Sequence, residues 1–282
     1  MQPDDLAIDI IVDLFETQTG QRISADRRWR ITPSLAGLLR ETGLESLSDL
    51  IVELTRSDDE RLPRKVVEAL LNNETYFFRD RQVFDHVDKV ILPRLAAENA
   101  SRRRMRVWSA GCSTGQEALS LAMLFASQPS RWHGWQVEIH ATDVSHAVID
   151  FARRATYSSF QIQRGLGVSE MLGFFRETPG GWQANRQLTD MVRFDVHNLL
   201  APPPAGEAFD LVLCRNVLLY FDADTRARAF ARLSEASRPD GELVLGGGEL
   251  VLGRAGTFTA DAQMHGVFRN GAGGPSRTTA AA

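Results

Sequence analysis

Arg106-Val107-Trp108-Ser109-Ala110-Gly111-Cys112-Ser113-Thr114-Gly115-Gln116-Glu117 decides how this chain is read. A short apolar run ends in a glycine-bounded turn. The turn opens into a helical pattern, Glu117 to Ala126, with Ala118, Leu121, Ala122 and Phe125 on one face. Strand, glycine turn and helix together make a ligand-binding device. Glycines let the backbone turn tightly and approach a ligand, and the first N–H groups of the helix are free. The spacing is Gly-x-x-x-Gly, not the Gly-x-Gly-x-x-Gly of dinucleotide binders, which weighs against a dehydrogenase.

Glu117 sharpens the reading. An acid at a helix start repels a pyrophosphate but suits a cationic ligand; its plainer role is a helix-dipole or capping acid. S-adenosylmethionine carries a sulfonium and an ammonium and no phosphate. Working outward, Val137-Glu138-Ile139-His140-Ala141-Thr142 reads as a second strand ending at Asp143. An acid there accepts both hydroxyls of a ribose, or else caps the next helix. It lies 32 residues after Gly111, against ~20 in a bare unit. Ser127 to Trp135 is therefore read as an added loop. Val192 to Leu200 reads as a strand ending in Asn198-Leu199-Leu200, where a neutral amide beside apolar side chains suits an adenine ring or a simple turn.

Asp210 to Cys214 and Gly241 to Leu245 are later strands. Strands alternating with helices predict an α/β domain with a doubly wound parallel sheet. Trp182-Gln183-Ala184 and Met191-Val192-Arg193-Phe194, around Pro179-Gly180-Gly181, predict a small antiparallel β insertion over about 163–193. Residues 6 to 72 carry helical spacing: Leu6, Ile10, Leu14 and Phe15; Leu35, Leu38 and Leu39; Val66, Val67, Leu70 and Leu71. Gly20, Gly43 and Ser57-Asp58-Asp59 punctuate them, and Pro63 suits a first helical turn. The expected division is an all-α N-terminal domain over 1–78, a cofactor-binding domain over 79–269, and a disordered Gly/Ala/Thr-rich tail over 270–282.

Composition fits an ordinary globular protein: 282 residues, 43% hydrophobic, 24% charged and a net charge of -4. That balance argues against a dedicated nucleic-acid binder. No apolar run approaches the ~18 residues of a membrane span. The acidic start, Met1 to Asp5, is unlike a signal peptide, so a cytoplasmic location is expected. Cys112 and Cys214 lack metal-ligand spacing and read as reduced structural thiols; no metal site is expected. Arg102-Arg103-Arg104 reads as a solvated turn.

Two more segments add to the first. They are Asn73-Glu74-Thr75-Tyr76-Phe77-Phe78-Arg79-Asp80 at the seam between domains, and Cys214-Arg215-Asn216-Val217-Leu218-Leu219-Tyr220-Phe221-Asp222 after a strand. Together with Trp108 to Glu117, they resemble the chemotaxis receptor methyltransferases, the CheR family, over roughly residues 5 to 268. The resemblance implies methyl transfer from S-adenosylmethionine to glutamate side chains of methyl-accepting chemotaxis receptors. The products are glutamate 5-O-methyl esters, used in sensory adaptation, and S-adenosylhomocysteine. It places Asn73, Thr75, Arg79, Glu117, Asp143, Asn198, Leu199, Arg215 and Asn216 at the cofactor. It also places Arg79 and Tyr220 beside the transferred methyl as the catalytic residues. Rival readings are a methyltransferase for RNA or a small molecule, and an inactive cofactor-binding adaptor.

The chain departs from the family in three places. The stretch matching the family's basic receptor-facing helix, Ser24 to Gly43, holds Arg27, Arg28, Arg30 and Arg40 against Asp26 and Glu41, and Pro33 interrupts it. The turn Arg176 to Gly181 is short, so no C-terminal pentapeptide tether of the receptor is expected. Gly246-Gly247-Gly248-Glu249 stands where the family often has Gly-His-Ser-Glu. The expected partners are the cytoplasmic domains of the receptors, met by a monomer without nucleic acid or membrane insertion.

Overall fold

The computed structural model describes residues 3–56, 60–249, 257–261 and 264–271. Ten strands occur among them: β1 (Arg104–Ala110), β2 (Gln136–Asp143), β3 (Thr156–Tyr157), β4 (Phe175–Thr178), β5 (Gly181–Ala184), β6 (Val192–Val196), β7 (Phe209–Cys214), β8 (Ser237–Leu245), β9 (Phe258–Ala260) and β10 (Val267–Asn270). Seven form one sheet in the order β6-β2-β1-β7-β8-β10-β9. The first five in that order run parallel, and β10 runs antiparallel to both of its neighbours, β8 and β9. From β1 the chain winds out to β2 and β6, then returns to β7 and continues the other way. The carboxyl ends of β1 and β7 thus flank a topological switch point, where open α/β sheets bind ligands.

Side-chain alternation explains the layers. Val107, Leu211, Leu213 and Val244 belong to one buried cluster with the Gln116–Ala126 helix. Trp108, Val212, Cys214, Leu243 and Leu245 belong to a second, with the Ala223–Ala236 helix. Strands buried on both faces read as continuous apolar runs, which is why β1 and β7 were legible.

The N-terminal helices have their own core of Ala7, Ile11, Leu35, Leu38, Leu47, Leu50 and Val66. The first helix, Pro3–Thr19, is rotated by one residue from expectation: Ala7, Ile11, Val12 and Phe15 are buried, while Leu6 and Ile10 are exposed. The run Ile10-Ile11-Val12 leaves the phase of the stripe ambiguous. Pro33 does not interrupt its helix. It sits in the first turn of Ile31–Thr42, where a missing N–H costs nothing. Gly43, at φ +71, ends that helix left-handed. Ser57-Asp58-Asp59 lie outside the described residues.

The small antiparallel sheet has the order β3-β5-β4. Its first strand, 156–157, precedes the expected insertion over 163–193. Met191 to Phe194 does not join it: Val192 to Val196 pairs in parallel with β2 at the edge of the main sheet. The hairpin partner of Trp182-Gln183-Ala184 is instead Phe175 to Thr178. Asn270 closes β10 rather than starting a tail, and residues 272–282 of that tail lie outside the described ones. Arg102 and Arg104 are ion-paired, to Asp210 and to Glu138 and Glu207, rather than merely solvated.

Candidate active site

The carboxyl ends of β1, β2, β6 and β7 open into one cleft of about 910 Å³. Every residue expected at the cofactor or the methyl lines it: Asn73, Thr75, Arg79, Glu117, Asp143, Asn198, Leu199, Arg215, Asn216 and Tyr220. They come from segments up to about 150 residues apart in sequence, brought together by sheet order.

The floor is the glycine turn. Gly111 has φ +81, and the amides of Gly111 and Cys112 both donate to the Thr142 carbonyl, at 2.8 and 2.9 Å. A side chain at Gly111 would put its Cβ 2.3 Å from Val217 Cγ2, so only glycine fits between β1 and the loop after β7.

Asp143 ends β2 with its carboxylate fixed. Oδ2 accepts from the Ser113 amide at 2.9 Å, and Oδ1 from the Ser145 amide at 3.1 Å. Burial pushes its carboxyl above the usual range, and the amides of Ser145, Ser113 and Val144 pull it back. Asp143 is not a helix cap. Ser145 fills that role for His146–Arg154, accepting from the Val148 amide.

Glu117 is not a capping acid either. Its Oε1 accepts from Ser109 Oγ at 2.8 Å and its Oε2 from Arg215 Nη1 at 3.1 Å. A carboxylate has about four acceptor positions, so capacity remains for an ammonium. Arg215 is 1% exposed and also donates from Nη2 to Asp80 Oδ2 and the Arg79 carbonyl, both at 2.7 Å. It is a buried strut that ties Glu117 to the Arg79–Asp80 turn, and Asp80 stands there left-handed at φ +58.

Arg79 forms no ion pair with the acids nearest it in sequence: Asp80 holds Arg215, Glu74 holds Arg164 and Asp85 holds Lys89. Arg79 Nη1 donates to the Glu74 carbonyl at 2.9 Å, with its guanidinium 5.8 Å from the Tyr76 ring centre. Tyr220 reaches the same cleft from the other side, its Oη accepting from Asn72 Nδ2 at 2.8 Å. Asn198 is a turn residue and a cross-link at once. Its Oδ1 accepts from the Leu200 amide and its Nδ2 donates to the Gln18 carbonyl, each at 2.9 Å. Leu199 is buried in the second core cluster. The Asn73 carbonyl accepts from Ser113 Oγ at 2.8 Å.

Four contributors carry no signal of their role in the sequence. Thr19 ends the first helix and Gln21 lies just beyond it; both line the cleft from the N-terminal domain, next to Gln18, which meets Asn198 across 180 residues of sequence. No local pattern announces such a contact. Ser109, which holds Glu117, is hidden inside a strand. Glu249 closes the glycine run Gly246-Gly247-Gly248 with no local sign of a role. Its carboxylate, 1% exposed, accepts four backbone N–H groups: Val217 and Leu218 on Oε1, Asn216 and Gly246 on Oε2, at 2.7–2.9 Å. This staple holds Asn216 left-handed at φ +61 and sets the short turn Leu218–Tyr220.

The donor set suits one kind of cofactor. Two carboxylates, Glu117 and Asp143, flank a glycine turn, Gly111 to Gly115, that carries no basic residue, which disfavours a pyrophosphate on the turn and favours a cation with a ribose. Both thiols, Cys112 and Cys214, are buried, and burial pushes both upward, so they stay neutral. Among the described residues no His, Cys, Asp and Glu group is arranged to hold a metal, and no helix is long and apolar enough to cross a membrane.

Residues 73–266 match the family "CheR methyltransferase, SAM binding domain". The chain belongs to the CheR methyltransferase family. It is 32% identical over 238 residues to chemotaxis protein methyltransferase 1 of Pseudomonas aeruginosa, covering 83% of this chain and 86% of that protein. It is 30% identical over 246 residues to chemotaxis protein methyltransferase 1 of Vibrio cholerae, covering 86% and 88%. A Listeria monocytogenes chemotaxis protein methyltransferase is 37% identical over 183 residues, covering 65% and 67%. The CheR assignment makes this chain an S-adenosylmethionine-dependent methyltransferase of chemotaxis, with S-adenosylmethionine as its cofactor.

Proposed function

We propose that this CheR-family enzyme methylates glutamate side chains in the cytoplasmic domains of methyl-accepting chemoreceptors, forming 5-O-methyl esters. The observation that carries the reading is Arg79. It is a guanidinium lining the cleft with no ion-paired carboxylate among the described residues: Arg215 takes Asp80, Lys89 takes Asp85 and Arg164 takes the carboxylate of nearby Glu74. S-adenosylmethionine supplies a methyl already activated on a sulfonium, and a carboxylate is already a nucleophile, so no general base is needed.

The chain's own task is alignment. Arg79 orients the incoming carboxylate with its fork of N–H donors. It must not grip too hard, because the carboxylate loses its charge as the ester forms, and ground-state binding alone does not raise the rate. Tyr220, steadied by Asn72, positions a reactant with its hydroxyl. Asp143 receives the ribose hydroxyls, Glu117 the ammonium, and Asn73, Thr75, Leu199 and Asn216 shape the remaining walls. Arg215 and Asn198 act through the groups they hold.

Residues 1–78 serve as a receptor-facing domain that also closes the cofactor cleft through Thr19 and Gln21, while 79–269 carry the chemistry. The enzyme works as a cytoplasmic monomer without a pentapeptide tether. The test is methyl transfer from labelled cofactor to receptor-containing membranes, followed by mild base. Label on a receptor-sized band that leaves as methanol supports a carboxyl ester. Base-stable label sinks the glutamate assignment, and no label with cofactor binding intact favours the inactive adaptor.

A further inference from the structure

A second opening, of about 980 Å³, lies on the solvent face of the small sheet, away from the cofactor cleft. Four arginines line it: Arg153 and Arg154 from the last turn of the His146–Arg154 helix, Arg176 from β4, and Arg186 from the Arg186–Thr189 helix. The floor is polar. Gln183 on β5 is in register with Arg176 and with Thr156, so all three share the face opposite the buried Phe175. The rest of the lining is Asn185, Thr189 and two alanines, and no acid is among it.

The four guanidiniums are not equally available. Arg153 donates to the Phe194 carbonyl and pairs with Asp150 and Asp195. Arg154 lies over the Phe151 ring, 5.4 Å from its centre, and Arg176 donates to the amide oxygen of Gln183. Arg154, Arg176 and Arg186 have no carboxylate partner among the described residues. Three unneutralised guanidiniums facing one bowl repel each other, and an anion relieves that.

We infer that this bowl is a binding site for a compact polyanion bearing adjacent phosphates. Guanidinium forks match phosphate oxygens bidentately. A peptide ligand is disfavoured because the lining offers no apolar side chain larger than alanine to receive its residues. The site lies on the face of the small sheet, not along an edge where an added strand would pair.

The test is calorimetric titration of the enzyme, saturated with S-adenosylhomocysteine so that the cofactor cleft is blocked. Tripolyphosphate is expected to bind saturably at one site, with Arg154→Gln and Arg186→Gln each weakening it at least tenfold. These side chains are exposed, so both variants keep their fold. A double variant of equal or greater charge loss in the N-terminal domain, Arg40→Gln with Arg56→Gln, should leave the affinity within twofold. Adenosine triphosphate binding as tightly as tripolyphosphate, or tighter, places the recognition on phosphates, with or without help from the nucleoside. Citrate binding equally well, no saturable binding, or equal weakening by the N-terminal double variant overturns the proposal.

Discussion

Replacing Glu249 by Gln probes the staple that builds half of the site. The native carboxylate accepts four amides, two on each oxygen. A glutamine keeps one oxygen and turns an NH2 toward the other two donors. Two buried N–H groups then lose their acceptor, at about 1–3 kcal/mol each, or roughly 2–6 kcal/mol in all. Part is returned, because burial pushes the Glu249 carboxyl up and the charge is costly to hold there. A net loss of about 2–4 kcal/mol follows from that balance. At about 2–4 °C per kcal/mol for a domain of this size, thermal unfolding should fall by roughly 4–16 °C. The loop that relaxes carries Asn216 and Tyr220, so methyl transfer should fall further than cofactor affinity at a temperature where the variant is folded. Unfolding by calorimetry and transfer by label incorporation read the two effects. A shift below about 1 °C with unchanged transfer would refute the reasoning, since it sits below the smallest cost of one orphaned amide.

Gly111→Ala must adopt φ +81 with its Cβ against Val217, so cofactor affinity should drop by an order of magnitude or more, measured by titration; adding Val217→Ala should restore part of it. Arg79→Ala should cut kcat at least about a hundredfold, near the lower end of what a positioned catalytic group supplies. S-adenosylhomocysteine affinity should stay within about threefold, and equal loss of both would make Arg79 structural. Asp143 has its carboxyl raised by burial, so cofactor affinity falls as pH drops through that raised value, earlier than for an ordinary Asp at 3.8. The folded apo-enzyme holds that proton more tightly than the unfolded chain, so Asp143's own contribution to stability runs the other way and is lost as pH rises through the same window. Asp143→Asn should flatten both profiles, and an unchanged affinity profile would contradict the ribose role.

The parallel strands and the glycine turn were legible because β1, β2 and β7 carry the apolar runs and turn residues that their burial demands. The cleft was legible because strand ends face one way in a doubly wound sheet, so Gly111, Asp143, Asn198 and Arg215 had to converge. What failed was set by tertiary context. The phase of the first helix depends on which side the other helices cover. Val192 to Val196 reads equally well as a hairpin strand or a sheet edge until β2 claims it. Glu249 looks like any acid in a glycine-rich loop until four amides turn toward it. Gln18 to Gln21 reach the cofactor cleft only because the N-terminal domain docks there.

The central claim is that the acceptor is a glutamate carboxylate. The most direct measurement is mass-spectrometric mapping of a purified receptor cytoplasmic fragment after incubation with the enzyme and S-adenosylmethionine. The account predicts one added methyl on particular glutamate side chains, removed by mild base and absent with Arg79→Ala. Methyl groups found on lysine, arginine, histidine or a chain terminus would contradict it.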